Sequence, residues 1–205
     1  MLDTDALVEN EAAAMPTLGH GLIASRLQRA LGDFVEEHGL GLVFSARTSF
    51  RVGTEPKDPD LAYVSKGRLS GLPADLDVDA DFAPDLVVEI ASRSDTLATI
   101  SRKVRAYLDV GVGAVWVVNP WLRTVEVFRA DGHHALLSES DALRGDPVVP
   151  GFSVDLRASS PRKARPVRTN VTSVVQGARD RVAHGKIHEH VEPYSAAWIC
   201  RTRSA

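Results

Sequence analysis

The run DLVVEIA at residues 85–91 limits what this chain can become more than any other segment. It is short, crowded with Leu, Val and Ile, and carries Glu89 near its end. Such a run reads as an interior strand rather than a helix. An unpaired carboxylate inside it would cost on the order of several kcal/mol, so Glu89 must be protonated, ion-paired or bound to a metal. Residues 96–110 then read as a helix, with capping candidates at 94–96 and Gly111 just past its end. Residues 113–118 return as a second apolar strand. TVEVFR (124–129) follows the NPWLR turn as an antiparallel strand, and ALLSE (135–139) is its expected partner. Strand, helix and strand in this order imply a right-handed crossover and a parallel pair. The expected fold is therefore α/β, a mixed β-sheet flanked by helices.

Upstream, Leu22, Ile23, Leu27, Ala30, Leu31 and Phe34 give one helical face over about residues 18–37. Residues 41–52 read as a strand or hairpin arm, and DPDLAYV as a short strand beginning at Asp60. Residues 67–84 read as a loop ending in the acidic run DLDVDADFAP.

In a strand, Asp85, Val87 and Glu89 share one face. Four residues span roughly 13 Å, so Asp85 and Glu89 cannot easily share one ion, whereas a neighbouring strand lies only about 4.8 Å away. Asp60 is the natural partner there, and the two carboxylates suit Mg²⁺. Lys103 lies on the helix side of Thr99 and Tyr107, beside the stripe Leu97, Ile100, Val104 and Leu108, and can extend towards them. On spacing alone, a metal site and a structural salt bridge from Glu89 to Lys103 or Arg102 are equally supported.

Composition narrows the function classes. Apolar residues at 44% and charged residues at 25% suit a soluble globular domain. No stretch approaches the ~20 apolar residues of a membrane span, and MLDTDALVENEAAAMP lacks the basic start and apolar centre of a signal peptide. The single Cys200 excludes an internal disulfide and a multi-Cys zinc site and fits a cytoplasmic setting. The net charge of −3 conceals a split, because residues from Arg157 onward carry ten Lys/Arg against three Asp/Glu, a net of +7. Two parts are expected: a domain over residues 1–156, and a basic, partly disordered C-terminal extension over 157–205. In the extension Val171, Val174, Val175, Ala178 and Val182 follow helical spacing. A nucleic-acid-binding arm and a plain extension are both consistent with it; the plain one is favoured, because the segment holds no recognisable module. His184, His188 and His190 mimic metal spacing without a Cys or Asp partner set. No GxGxxG, Walker or GxSxG motif occurs. Trp116 and Trp121 are expected to serve core and turn packing rather than as base-stacking platforms.

The stretch PDLVVEIAS, the Lys and Tyr of the following helix, and GV..VWVVNP together resemble the Uma-type restriction endonuclease family of the PD-(D/E)xK nuclease superfamily. The resemblance runs from LGHGLIASRLQRAL through DPDLAYV to VVPGFSVDL, about residues 8–156. Asp60 matches the acid of the PD motif and Glu89 that of the (D/E)xK motif. Position 91 is Ala where the lysine usually stands, and Lys103 occupies the alternative position on the following helix. His20 matches a histidine near the start of the family's first helix. The resemblance implies a restriction-endonuclease-like core and Mg²⁺-dependent (or Mn²⁺-dependent) hydrolysis of phosphodiester bonds in DNA. It implies Asp60 and Glu89 as metal ligands, Lys103 as the group that orients water or stabilises charge, and His20 as a helper or a packed cap. Asp85, at the strand entrance, is open to a role as an acceptor behind the ligands or as a ligand to a second ion, with a strand-start hydrogen-bonding role favoured. Cutting both strands of a duplex would favour a homodimer. The rival is a catalytically silent member of the fold that serves as a nucleic-acid or protein interaction module.

Overall fold

The computed structural model describes residues 17–156. The extension over 157–205, its helical stretch from Val171 to Val182, and His184, His188 and His190 lie outside the described residues.

The first element is α1 (Leu18–Glu37), whose start is fixed by Thr17: its extended backbone lets Oγ1 accept the His20 amide at 3.2 Å. Of the predicted apolar stripe, Ile23, Leu27, Ala30 and Leu31 are buried and Phe34 is partly so, while Leu22 faces solvent and Val35, outside the predicted stripe, is buried in its place. Then come β1 (Gly41–Ser45), β2 (Phe50–Val52), β3 (Glu55–Lys57), β4 (Leu61–Ser65), α2 (Lys66–Leu69), β5 (Leu86–Ile90), α3 (Leu97–Asp109), β6 (Ala114–Asn119), β7 (Thr124–Arg129), β8 (His134–Ser138), β9 (Ala142–Arg144) and β10 (Ser153–Asp155).

Six strands form one mixed sheet in the order β1-β4-β5-β6-β7-β8. Only β5 and β6 pair in parallel, the two strands joined through α3; the other neighbours are antiparallel. The mixed α/β expectation holds. Residues 41–52 do not make one arm, however. The chain turns after β1, and β2 pairs with β3 in a separate two-stranded sheet. The 67–84 loop begins inside the single turn of α2. Asp60 sits one residue before its strand rather than opening it.

The alternation of β5 decides which layer meets which face. Leu86, Val88 and Ile90 join Ile23, Leu27 and Leu31 of α1 in one core, while Val87 joins Val104 and Tyr107 of α3 in another. β5 is therefore covered on both faces, which explains its near-continuous apolar run. The β9–β10 pair closes the α1 side: Leu143, Phe152 and Val154 are buried there, and Trp116 stacks on Phe152 with ring centroids 5.9 Å apart. Trp116 is thus a core residue, as expected. Among the described residues no helix is long and apolar enough to cross a membrane.

Candidate active site

Glu89 has the parity of Val87, so it faces α3, and it lies one residue from the end of β5. There the aliphatic cover thins, and the carboxylate stands in a small cleft with Asp95 and Lys103, walled by Ile100, Val104 and Val117. Its side chain is 15% exposed. Two groups of α3, four residues apart and so on one helical face, hold it. The Tyr107 hydroxyl donates to Oε1 at 2.8 Å and the Lys103 ammonium reaches Oε2 at 3.2 Å. Burial pushes the Glu89 carboxyl up from its usual range, and Lys103 and Tyr107 only partly offset this. Burial works against the charge on Lys103, but Glu89, helped by Asp95 and Asp60, outweighs it and the net shift is upward. Tyr107 is raised too, first by burial and then by the adjacent carboxylate, so it remains a donor.

Asp60 arrives from the neighbouring strand. Leu61 pairs with Val88 in the antiparallel β4–β5 register, which sets Asp60 beside Glu89 and Ile90. The Ile90 amide donates to Asp60 Oδ2 at 2.7 Å, and His20 Nε2 lies 2.9 Å from Oδ1. His20 is placed by the first turn of α1, two residues after Leu18. Its pKa is raised, chiefly by the hydrogen bond to Asp60 and against the opposing effect of burial.

The four predicted site residues therefore gather at one end of the sheet: Asp60 with His20 from the α1 side, Glu89 with Lys103 from the α3 side. Asp85 does not join them. It lies at the other end of β5, where its carboxylate accepts the Ser65 amide at 2.7 Å and meets Arg68 Nε at 2.8 Å. That is the strand-start bonding expected of it. Sequence reasoning put Tyr107 on the lysine's side of the helix without giving it a role; the signal was its spacing of four from Lys103. Asp95 was read only as a capping candidate. Its Oδ2 accepts the Ser92 amide at 2.6 Å, and its charge acts on both His20 and Lys103.

Among the described residues no three His, Cys, Asp or Glu side chains form a group that could hold a metal ion. What the site offers is two carboxylates, Asp60 just before β4 and Glu89 on the adjacent β5. That donor set still fits a hard cation of the Mg²⁺ type, commonly bound by one or two carboxylates with water and phosphate oxygens completing its shell.

A mixed sheet between two helical layers, with one acid just before β4 and another near the end of β5, gives the shape of the domain. A crystal structure described as "a putative nuclease belonging to DUF820 from Anabaena variabilis ATCC 29413" shares this fold. The TM-score is 0.60 at 18% identity, covering 66% of this chain and 76% of that one. At that identity the likeness is one of fold. The family follows from the sequence: residues 6–157 match the family model described as "Uma2: Putative restriction endonuclease", and the chain belongs to the Uma2 family. No curated protein matches the chain.

Proposed function

We propose that this domain is a PD-(D/E)xK-type endonuclease that hydrolyses phosphodiester bonds in DNA with Mg²⁺, for which Mn²⁺ can substitute. The observation that carries the reading is the meeting of Asp60, Glu89 and Lys103 at one end of the sheet. A largely buried carboxylate raised by desolvation is a costly thing to keep in a fold, and such groups concentrate at working sites.

Asp60 and Glu89 would hold the cation, which when bound supplies positive charge to the phosphate and acidifies water. The chain's own groups do the rest. The Ile90 amide and His20 fix the Asp60 carboxylate. Tyr107 keeps one Glu89 oxygen in place while the other faces Lys103. Lys103 stays protonated and can turn its ammonium to the charge that builds on phosphorus in the transition state. Cleavage of both strands of a duplex calls for a homodimer, and the single cysteine suits a cytoplasmic setting.

The test pairs calorimetric titration of Mg²⁺ and Mn²⁺ near neutral pH with a plasmid-nicking assay, on wild type and Glu89→Gln. Wild type is expected to bind metal and nick DNA. The variant is expected to lose both while melting at nearly the same temperature, because Gln relieves a buried charge yet still offers an acceptor to Lys103. Intact plasmid with wild type in either metal would sink the enzyme reading. That would leave Glu89–Lys103 as a structural ion pair in an interaction module.

A further inference from the structure

The domain carries the same sign of charge as DNA: residues 1–156 hold 14 Lys/Arg against 24 Asp/Glu, a net of −10. A phosphate can be held there only by a cation that no neighbouring carboxylate already occupies. Arg51, Arg68, Arg123 and Arg129 are each committed to an acid. Arg47 is not: it is exposed, and among the described residues no hydrogen bond or ion pair engages its guanidinium. Its backbone is unusual as well, with φ at +80°. That left-handed region suits glycine, and glycine fills most such positions in the domain. Residues kept in this conformation against their preference gather at ligand clamps and active sites.

The strand register places the turn that carries Arg47. Ser45, the last residue of β1, lies opposite Leu61, and Leu61 lies opposite Val88. The chain leaving β1 through Ala46 and Arg47 therefore emerges at the end of the sheet where Asp60 and Glu89 stand. It is two strands away from β5, about 10 Å at the usual strand spacing. The far side of the turn is tied to the segment that leads into the site, because Ser49 Oγ donates to Asp58 Oδ1 at 2.5 Å, two residues before Asp60. A DNA strand rises roughly 3.4 Å per nucleotide, so the gap corresponds to about three nucleotides.

We propose that Arg47 binds a backbone phosphate of the DNA strand crossing the Asp60–Glu89 site, about three nucleotides from the bond to be cut. This rests on the nuclease reading above. A phosphate contact carries no base preference, so its loss weakens binding alike on unrelated sequences. The test measures affinity of the full chain for a fluorescein-labelled duplex in EDTA across a salt series; plasmid cleavage in Mg²⁺ is followed separately. Arg47→Gly removes the guanidinium and suits the left-handed backbone, so its melting temperature is expected at or above that of wild type. Its slope of log affinity against log salt is expected to be shallower by about 0.9, the share of one phosphate. Arg47→Lys should stay near wild type. Lys66→Gln is the control, since Lys66 is an exposed cation just past the opposite end of β4; its slope is expected to match that of wild type.

If wild type cuts DNA but Arg47→Gly keeps the wild-type slope, the contact is refuted and the nuclease reading stands. An equal loss in Lys66→Gln makes the effect one of overall charge and refutes the contact too. Wild type that binds with an Arg47-dependent slope yet never cuts supports the contact and overturns the nuclease reading. Wild type that neither binds nor cuts overturns both. If Arg47→Gly instead converts a dimer to a monomer in sedimentation, Arg47 joins copies of this chain and the phosphate contact is overturned.

Discussion

At the scale of single residues, the site is two carboxylates held in different ways. Asp60 has a backbone amide and an imidazole; Glu89 has only side chains of α3. The His20 pairing has a sign that can be checked. His20 in the folded protein binds its proton more tightly than its ordinary value of 6.5 allows, because Asp60 accepts its hydrogen bond. The unfolded chain releases that proton first as pH rises. The stabilisation is therefore complete below about pH 6.5 and is lost as pH climbs through the raised value. Denaturant melts of wild type and His20→Asn from pH 5.5 to 8.5 are expected to converge towards the alkaline end. A gap that stays constant across the range would mean that the imidazole contributes packing alone.

At the scale of elements, the readable parts were the long or strongly periodic ones. The stripe from Ile23 to Phe34 was enough to set α1 at Leu18–Glu37, and the apolar run with Glu89 located β5 within a residue at each end. β2, β3, β9 and β10 have three residues each, too few for any alternation to emerge, and their pairing depends on turns rather than on pattern. Tyr107 was legible as a neighbour of Lys103, but its bond to Glu89 needs the crossover that lays α3 on the sheet. The β9–β10 pair, invisible in the sequence, proves to be a tightly built closure of the core. A Cβ at Gly145 would stand 2.6 Å from the Val149 carbonyl oxygen and 2.9 Å from the Phe152 Cβ. Gly145→Ala is therefore expected to destabilise the domain by roughly 1–3 kcal/mol, the usual cost of overpacking, seen as an earlier urea midpoint. A midpoint within error of wild type would show that this closure gives way easily.

At the scale of the whole molecule, charge is distributed unevenly: residues from Arg157 onward carry +7 in a chain whose net charge is −3. Deleting residues 157–205 and measuring DNA binding against salt separates the two parts. A plain extension leaves the slope of log affinity against log salt unchanged, which is the expected result. If the extension is instead an arm that neutralises phosphates, its removal makes the slope shallower by about 0.9 for each phosphate it had neutralised. The position of the site adds a consequence. Asp60 is steadied from the α1 layer through His20, and Glu89 from the α3 layer through Lys103 and Tyr107. A chain that has packed one layer but not the other has only one of its two acids in position. Under the proposed function, hydrolysis then waits on completed assembly of the sandwich, and a half-folded or clipped copy is harmless to the genome of the cell that makes it.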